Sequence, residues 1–159
     1  MTVTTELLAS WRSPRQGLRR HLARGVSEPF AFTLLLVFLI LTFVGQWPIA
    51  AREAYLANEP STAPRILARS LAVLATIPLW YLLAAASRLV ARALGGKGSW
   101  YAARIALFWA LATVSPLMLL QGLVGGMIGP GPGLSLVSAI IGGGFAWLWF
   151  SMLHEAERG

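Results

Sequence analysis

Few side chains in this sequence are of the types that carry out acid–base, nucleophilic or metal chemistry. The chain has no cysteine and no aspartate, and its only histidines are His21 and His154. Thiolate metal sites, cysteine nucleophiles and a Ser/His/Asp triad are therefore excluded, and no pair of carboxylates is spaced for acid–base catalysis. Two histidines on one side could share a ligand, but isolated surface histidines are far commoner. We predict no catalytic residue, no metal site and no cofactor, and hence no enzyme.

One short segment, GGKGS at residues 95–99, has the composition of a phosphate-binding loop. A nucleotide-binding loop of that kind needs a preceding strand and a G-x-x-x-x-G-K-[ST] frame. This segment lacks the frame and follows an apolar helical run. We therefore interpret it as a flexible cytoplasmic turn between two membrane helices. Three cations at this interface, Arg92, Lys97 and Arg104, are candidates for contact with lipid headgroups.

Four long apolar runs hold most of the chain, and none of their centres contains an aspartate, glutamate, lysine, arginine or histidine. Of the 159 residues, 57% are hydrophobic and only 12% are charged, about half the charged fraction of an average soluble domain. Runs of this length fit a lipid bilayer. The sequence predicts an all-α integral membrane protein, in which residues 29–159 form a bundle of four transmembrane helices. The spans are expected at about 29–48, 66–94, 102–128 and 133–153.

Residues 1–28 form a basic, amphipathic segment ahead of the first span. Leu7, Trp11, Leu18 and Leu22 recur at nearly helical spacing among five arginines, and Ser13-Pro14 is typical of a helix start. We predict an interfacial helix on the cytoplasmic side, with its apolar face on the lipid and Trp11 at headgroup depth. A disordered basic tail is the alternative.

Within the spans, a few polar residues and helix breakers are the candidate functional and packing positions. Pro78 predicts a kink whose freed carbonyl needs a partner such as a hydroxyl, and Pro116 predicts a bend. Gln46 and Gln121 are expected to form hydrogen bonds between helices, or alternatively to line a small polar path or a lipid-binding crevice.

Small residues four apart predict that the third and fourth spans pack closely as a hairpin. Gly122 and Gly126 give this pattern in the third span, and Gly142 belongs to the corresponding row in the fourth. Glycines at such spacing allow helix backbones to approach each other in a membrane.

The distribution of cations predicts the orientation of the chain. With four spans, both termini and the loop after the second span lie on one side. That side carries ten of the 13 cations, and the other carries Arg52, Arg65 and Arg69. The positive-inside rule then places both termini in the cytoplasm. The cations meet anionic lipid, and no nucleic-acid partner is expected.

Three segments make the chain similar to a known family. These are FVGQWPIAAREAYL after the first span, LVARALGGKGSWYAARIALFWALATVSPLMLLQGL across the second and third, and IGPGPGLSLV into the fourth. The chain resembles short bacterial members of the Yip family, the Ypt-interacting-protein-like multispan membrane proteins. The resemblance implies a polytopic helical bundle without known enzymatic chemistry, and we therefore expect the chain in the inner membrane of a bacterial cell.

Two properties of the family differ from this sequence. Eukaryotic relatives are associated with small GTPases and vesicle traffic through a long cytosolic N-terminal region, a role not carried over to the 28 residues found here. The family is usually described with five spans against the four counted here, so the N-terminal amphipathic helix is expected to take the place of the missing element.

These features predict an interaction or scaffold protein that binds membrane lipids and other membrane proteins or itself, or that organises the bilayer locally. The alternatives are a small transporter or lipid-handling component that uses a cleft around Pro116 and Gln121, and an accessory subunit of a larger membrane complex.

Overall fold

The structure is a computed structural model that describes residues 9–158, and all regular secondary structure in this range is helical. Residues 9–12 are helical. Six further helices follow: α1 (Pro14–Leu22), α2 (Glu28–Leu56), α3 (Ala63–Ala75), α4 (Ile77–Ala93), α5 (Trp100–Met127) and α6 (Pro132–Ala156). The predicted all-α fold is confirmed.

Four segments of the described chain are long and apolar enough to cross a membrane: α2, α3 together with α4, α5, and α6. At 1.5 Å per residue, the 25 residues of α6 extend about 37 Å, which exceeds the hydrocarbon thickness of about 30 Å. The predicted four-span bundle is confirmed. The first span is longer than expected, because α2 continues through Pro48 to Leu56, where Ala50 and Ala54 are buried in the bundle.

Helix α5 is the centre of the bundle. It contacts α1, α2, α4 and α6, and its largest interface is with α2. Residues 105–115 of α5 are all buried, and Leu107 and Phe108 have no exposed surface. Alanine recurs throughout this segment, and its small side chain lets the neighbouring helices approach. The third span therefore positions the other spans.

The second and fourth spans lie at the periphery. None of the most apolar part of α3–α4 is buried in the bundle, and only 17% of that part of α6 is buried. Leu71, Leu82, Leu136 and Ile140 are among the large apolar side chains exposed on these two spans. In a bilayer these faces meet lipid or other transmembrane helices.

The second span breaks near Pro78, as predicted. Helices α3 and α4 are separated by Thr76, whose hydroxyl donates to the Val73 carbonyl at 2.6 Å and accepts from Trp80 Nε1 at 3.0 Å. Hydroxyl groups commonly satisfy backbone groups at such breaks in a membrane. The carbonyl that Pro78 leaves without its helical donor is that of Leu74, four residues earlier, so the Thr76 hydroxyl bonds the neighbouring carbonyl and not the one for which a hydroxyl partner was expected.

Helix α5, in contrast, continues through Pro116. Proline has no N–H to donate to the Ala112 carbonyl four residues earlier. The buried Ser115 hydroxyl donates to that carbonyl at 2.8 Å. The serine replaces the missing hydrogen bond, which explains how a proline is accommodated in an unbroken helix at the centre of the bundle.

The short amphipathic helix predicted near the N-terminus is confirmed as α1. Ser13 occupies its N-cap position and Pro14 is its first residue, although the Ser13 hydroxyl makes no capping hydrogen bond. The expected apolar face includes Leu18, which is fully buried. This face packs on α5 and α6, whereas the sequence indicates contact with lipid.

The helical residues 9–12, which precede α1, lie beside the middle of α6. The Trp11 ring lies against Gly144, close to the midpoint of α6, where the absence of a side chain leaves room for the indole. This position differs from the predicted headgroup depth. Leu7, which belongs to the same predicted apolar face, lies outside the described residues.

Candidate functional site

Side-chain contacts define two ends of the bundle. One end, here called the α1 end, holds the C-terminal part of α1, the loop at residues 94–99 and the last residues of α6. The far end holds the loops at residues 57–62 and 128–131. Each end contains a separate group of ion pairs, and between them lies a close contact of helix backbones.

Glycines form this close contact between α2 and α5. A Cβ atom added to Gly122 would overlap the carbonyl oxygen of Gly45 and lie 2.8 Å from its Cα atom. A Cβ on Gly126 would lie 2.7 Å from the carbonyl carbon of Pro48, and one on Gly45 would lie 2.6 Å from the Met118 carbonyl oxygen. Carbon atoms in contact normally lie about 3.5–4.0 Å apart. The two backbones therefore approach too closely to admit a side chain.

The predicted partner of these glycines is wrong. Helices α5 and α6 do pack together, but Gly122 and Gly126 face α2, and a Cβ on Gly142 would meet no atom within 4 Å. The spacing of small residues identifies the face of a helix that another backbone can approach. It does not identify which helix approaches, and here Gly45 and Pro48 allow α2 to do so.

The two glutamines form hydrogen bonds between helices, as expected. Gln121 Nε2 donates to Ser138 Oγ at 2.8 Å and so joins α5 to α6. The Gln46 side-chain oxygen accepts from Arg69 and so joins α2 to α3. The two side chains bond to different helices, so these bonds stabilise the packing of separate pairs of spans.

The far end holds a network of ion pairs between α2, α3 and the loop that connects them. Arg69, which also bonds Gln46, donates to Glu53 at 2.8 Å. Arg65 donates to Glu53 at 3.2 Å and makes two bonds to Glu59, of 2.8 and 2.7 Å. These bonds and the positive charge of Arg65 lower the pKa of Glu59. A two-point arginine–carboxylate contact fixes geometry, so the network holds the loop and the two spans together.

At the α1 end, the carboxylate of Glu157 occupies the loop that resembles a phosphate-binding turn. Arg88 Nη1 and the backbone N–H of Gly98 each donate to Glu157 Oε2 at 3.0 Å. The Arg88 and Glu157 side chains are only 11% and 9% exposed. The Lys97 N–H also donates to the Glu157 carbonyl, at 3.0 Å. The loop predicted to be a flexible turn thus binds an anion, which is a carboxylate of the same chain.

Two further ion pairs join distant parts of the chain at this end. Arg19 of α1 pairs with Glu155 of α6, and Arg104 of α5 pairs with Glu28 of α2. Arg104, predicted as an interfacial cation, is therefore neutralised in part by a neighbouring helix. The other two predicted interfacial cations, Arg92 and Lys97, are exposed, and their contact with lipid headgroups stays a prediction.

The N-terminal segment is fixed to α5 around Trp109. Its indole N–H donates to Ser10 Oγ at 3.0 Å, and its ring lies 4.1 Å from the ring of His21. His21 is buried and also contacts Phe30, whereas His154 is exposed. Among the described residues, no group of three histidine, cysteine or acidic side chains could hold a metal ion.

The sequence was compared with known families and proteins. It matches the family model of the Yip1 domain over residues 8–157, nearly its full length. The chain belongs to the Yip1 family. Comparisons with curated proteins and with solved structures give no match. Yip1-family proteins interact with membranes and with other proteins, and the family is not known for enzymatic activity.

The position of α1 bears on the number of membrane elements in this Yip1-family chain. The sequence predicts that the N-terminal helix takes the place of a fifth span. Helix α1 does pack within the bundle, but its nine residues extend about 14 Å, less than half the hydrocarbon thickness of about 30 Å. Helix α1 alone is therefore too short to cross the bilayer, and residues 9–158 contain four candidate spans.

The far-end network was not predicted, although the sequence contains a signal for it. Arg65 and Arg69 are four residues apart, and Gln46 and Glu53 are seven apart, so each pair lies on one face of its helix. A loop of six residues, 57–62, makes α2 and α3 antiparallel neighbours. Together these spacings place two cations opposite two acceptors.

Proposed function

We propose that this Yip1-family chain is a non-catalytic interaction protein that binds other membrane proteins through the outer face of α6. We place it in the bacterial inner membrane with its α1 end in the cytoplasm. The observation that carries the proposal is a contrast between two parts of the bundle. The core around α5 is closely packed, whereas α6 exposes glycines that contact nothing within the described chain.

The exposed glycines are unusual because they weaken the helix without an internal benefit. Residues 142–144 are three successive glycines in α6, and each costs about 1 kcal/mol relative to alanine in a helix. Only Gly144 faces another segment, at Trp11, while Gly142 and Gly143 have open space beside them. Ser135 and Ala139 are also exposed on α6. A transmembrane helix of another protein could approach this face closely, as α2 approaches α5.

The polar groups within the spans favour an interaction protein over a small transporter. Thr113 and Ser115 donate to carbonyls of their own helix, and Gln46 and Gln121 bond to different neighbours. A transport path needs polar groups or freed backbone that line one cavity. The pairing of these side chains supports roles in packing.

Site-specific photocrosslinking of the full chain in native membranes tests the proposal. A photoreactive residue at position 143 samples the glycine face. The matched control at Leu82, which is 66% exposed on α4, samples another outer face. We expect mass spectrometry to identify a protein adduct at position 143 that is absent or much weaker at position 82. Lipid adducts alone at both positions would contradict the proposal, and an adduct of twice the chain mass would identify a second copy as the partner.

Reporter fusions test the proposed orientation independently. Fusion at residue 97 should give a cytoplasmic signal, and fusion at residue 57 should give an extracytoplasmic signal. An extracytoplasmic signal at residue 97 would show that the orientation is wrong.

A further inference from the structure

A cavity at the α1 end is lined by three arginines. It lies where the helical residues 9–12 meet α1, has a volume of about 460 Å³, and is bounded by Arg12, Arg15 and Arg19 on one side. Trp147 and Ser151 of α6 form the other side. Three guanidinium groups around one cavity form an arrangement suited to the oxygen atoms of phosphate.

The described carboxylates at this end form their recorded ion pairs with cations other than Arg12 and Arg15. Among the described residues, Glu28 pairs with Arg104 and Glu157 pairs with Arg88. Glu155 pairs with Arg19 and lies 3.9 Å from Arg158. Within residues 9–158, the structure records no ion pair for Arg12 or Arg15, and both side chains are exposed.

The cavity lies near one end of α6, the part of a membrane-crossing helix that reaches the lipid headgroups and upper acyl chains. Ser151 and Trp147 lie five and nine residues before the end of α6 at Ala156, or about 7 and 13 Å along the helix. Trp147 is 50% exposed, as is common for tryptophan at a membrane interface. Cationic side chains at this depth are costly unless an anion accompanies them.

We infer that the cavity formed by Arg12, Arg15 and Arg19 binds the phosphate group of an anionic phospholipid. Three guanidinium charges and the one carboxylate of Glu155 leave two net positive charges. A headgroup with two negative charges, such as the paired phosphates of cardiolipin, matches this excess. Arg12 and Arg15 bind the phosphate oxygens, and the exposed face of Trp147 contacts the upper part of the acyl chains.

The test measures lipid binding by the purified full chain in phosphatidylcholine nanodiscs, with cardiolipin titrated as the probe. The Arg12→Gln/Arg15→Gln variant is compared with Arg92→Gln/Lys97→Gln. The second variant removes the same net charge from exposed cations at the same end but outside the cavity. We expect about a 100-fold loss of cardiolipin affinity in the first variant, from about 1.5 kcal/mol for each charge-assisted hydrogen bond to phosphate that is removed, whereas the control removes only the general attraction of cations to an anionic surface. The loss in the control should be several times smaller.

Three outcomes would overturn the inference. Equal losses in the two variants would show general attraction to an anionic surface, and a wild-type chain without preference for cardiolipin would show no site. Full displacement of cardiolipin by inorganic diphosphate would show that the cavity binds free phosphate and not a lipid. Circular dichroism and gel filtration of each variant confirm that the fold is retained, and Arg12→Lys, which keeps the charge, should recover most of the affinity.

Discussion

Replacing Gly122 with alanine tests the closest helix contact described for this bundle. The added methyl carbon would lie 2.6 Å from the carbonyl carbon of Gly45 and 2.8 Å from its Cα atom, where about 3.5 Å is the normal minimum. These are backbone atoms, so no side chain can rotate away, and α2 and α5 must separate by about 1 Å. Overpacking of this kind typically costs about 1–3 kcal/mol. We expect the free energy of unfolding to fall by an amount at the upper end of this range, about 3 kcal/mol, because the close contact continues at Gly126 and Pro48.

The matched control adds the same methyl group at Gly142, which has no atom within 4 Å of the new carbon. That change removes a helix glycine without a clash, so it should stabilise the monomer by up to about 1 kcal/mol. Intrinsic tryptophan fluorescence, which the chain's seven tryptophans supply, can follow thermal unfolding of both variants in the same detergent. Equal midpoints for Gly122→Ala and Gly142→Ala would refute the close contact between α2 and α5.

Three further predictions concern polar contacts. Ser115→Ala removes the donor that compensates for the proline in α5, and should lower stability in detergent unfolding by about 1 kcal/mol. Glu157→Gln leaves Arg88 buried without its anion, and should lower the thermal midpoint more than the same substitution at the exposed Glu59. The contribution of the Glu59–Arg65 pair should be present above the ordinary glutamate pKa and be lost as pH falls through the lowered pKa of Glu59. Comparing the midpoints of wild type and Glu59→Gln across acidic pH measures that contribution.

Sequence patterns predicted features that depend on one helix at a time. The absence of charge from residues 105–128 predicted a membrane helix, and Pro78 predicted an irregularity in the second span, because both effects are local. The partner of Gly122 could not be predicted in the same way. Small-residue spacing is a property of one helix face, whereas the choice between α2 and α6 depends on how all four spans pack.

The distinction between local and long-range contacts also explains why the anion bound by the loop at residues 95–99 was not predicted. Its glycines and their similarity to a phosphate-binding turn are visible in the sequence. Its anion is Glu157, which lies about sixty residues away along the chain and is brought close by the antiparallel arrangement of α5 and α6. The sequence therefore predicted only a flexible turn, because the anion that the loop binds comes from a distant part of the chain.

The two ends of the bundle differ in the number of cations that have no partner within the described chain. This difference links the predicted orientation to the inferred lipid site. At the far end each cation has a partner in the chain, since Arg65 and Arg69 bond glutamates and Arg52 donates to the Met127 carbonyl.

At the α1 end, four exposed cations have no ion pair recorded among residues 9–158: Arg12, Arg15, Arg92 and Lys97. Each cation near an anionic leaflet contributes about 1 kcal/mol of attraction to that leaflet. These four cations therefore stabilise the orientation that places the α1 end at the anionic leaflet by about 4 kcal/mol. A raw count of arginines and lysines overstates the positive charge available at either end. The predicted orientation and the cavity at Arg12 and Arg15 therefore depend on one physical cause, an excess of cations over the glutamates that could neutralise them at that end.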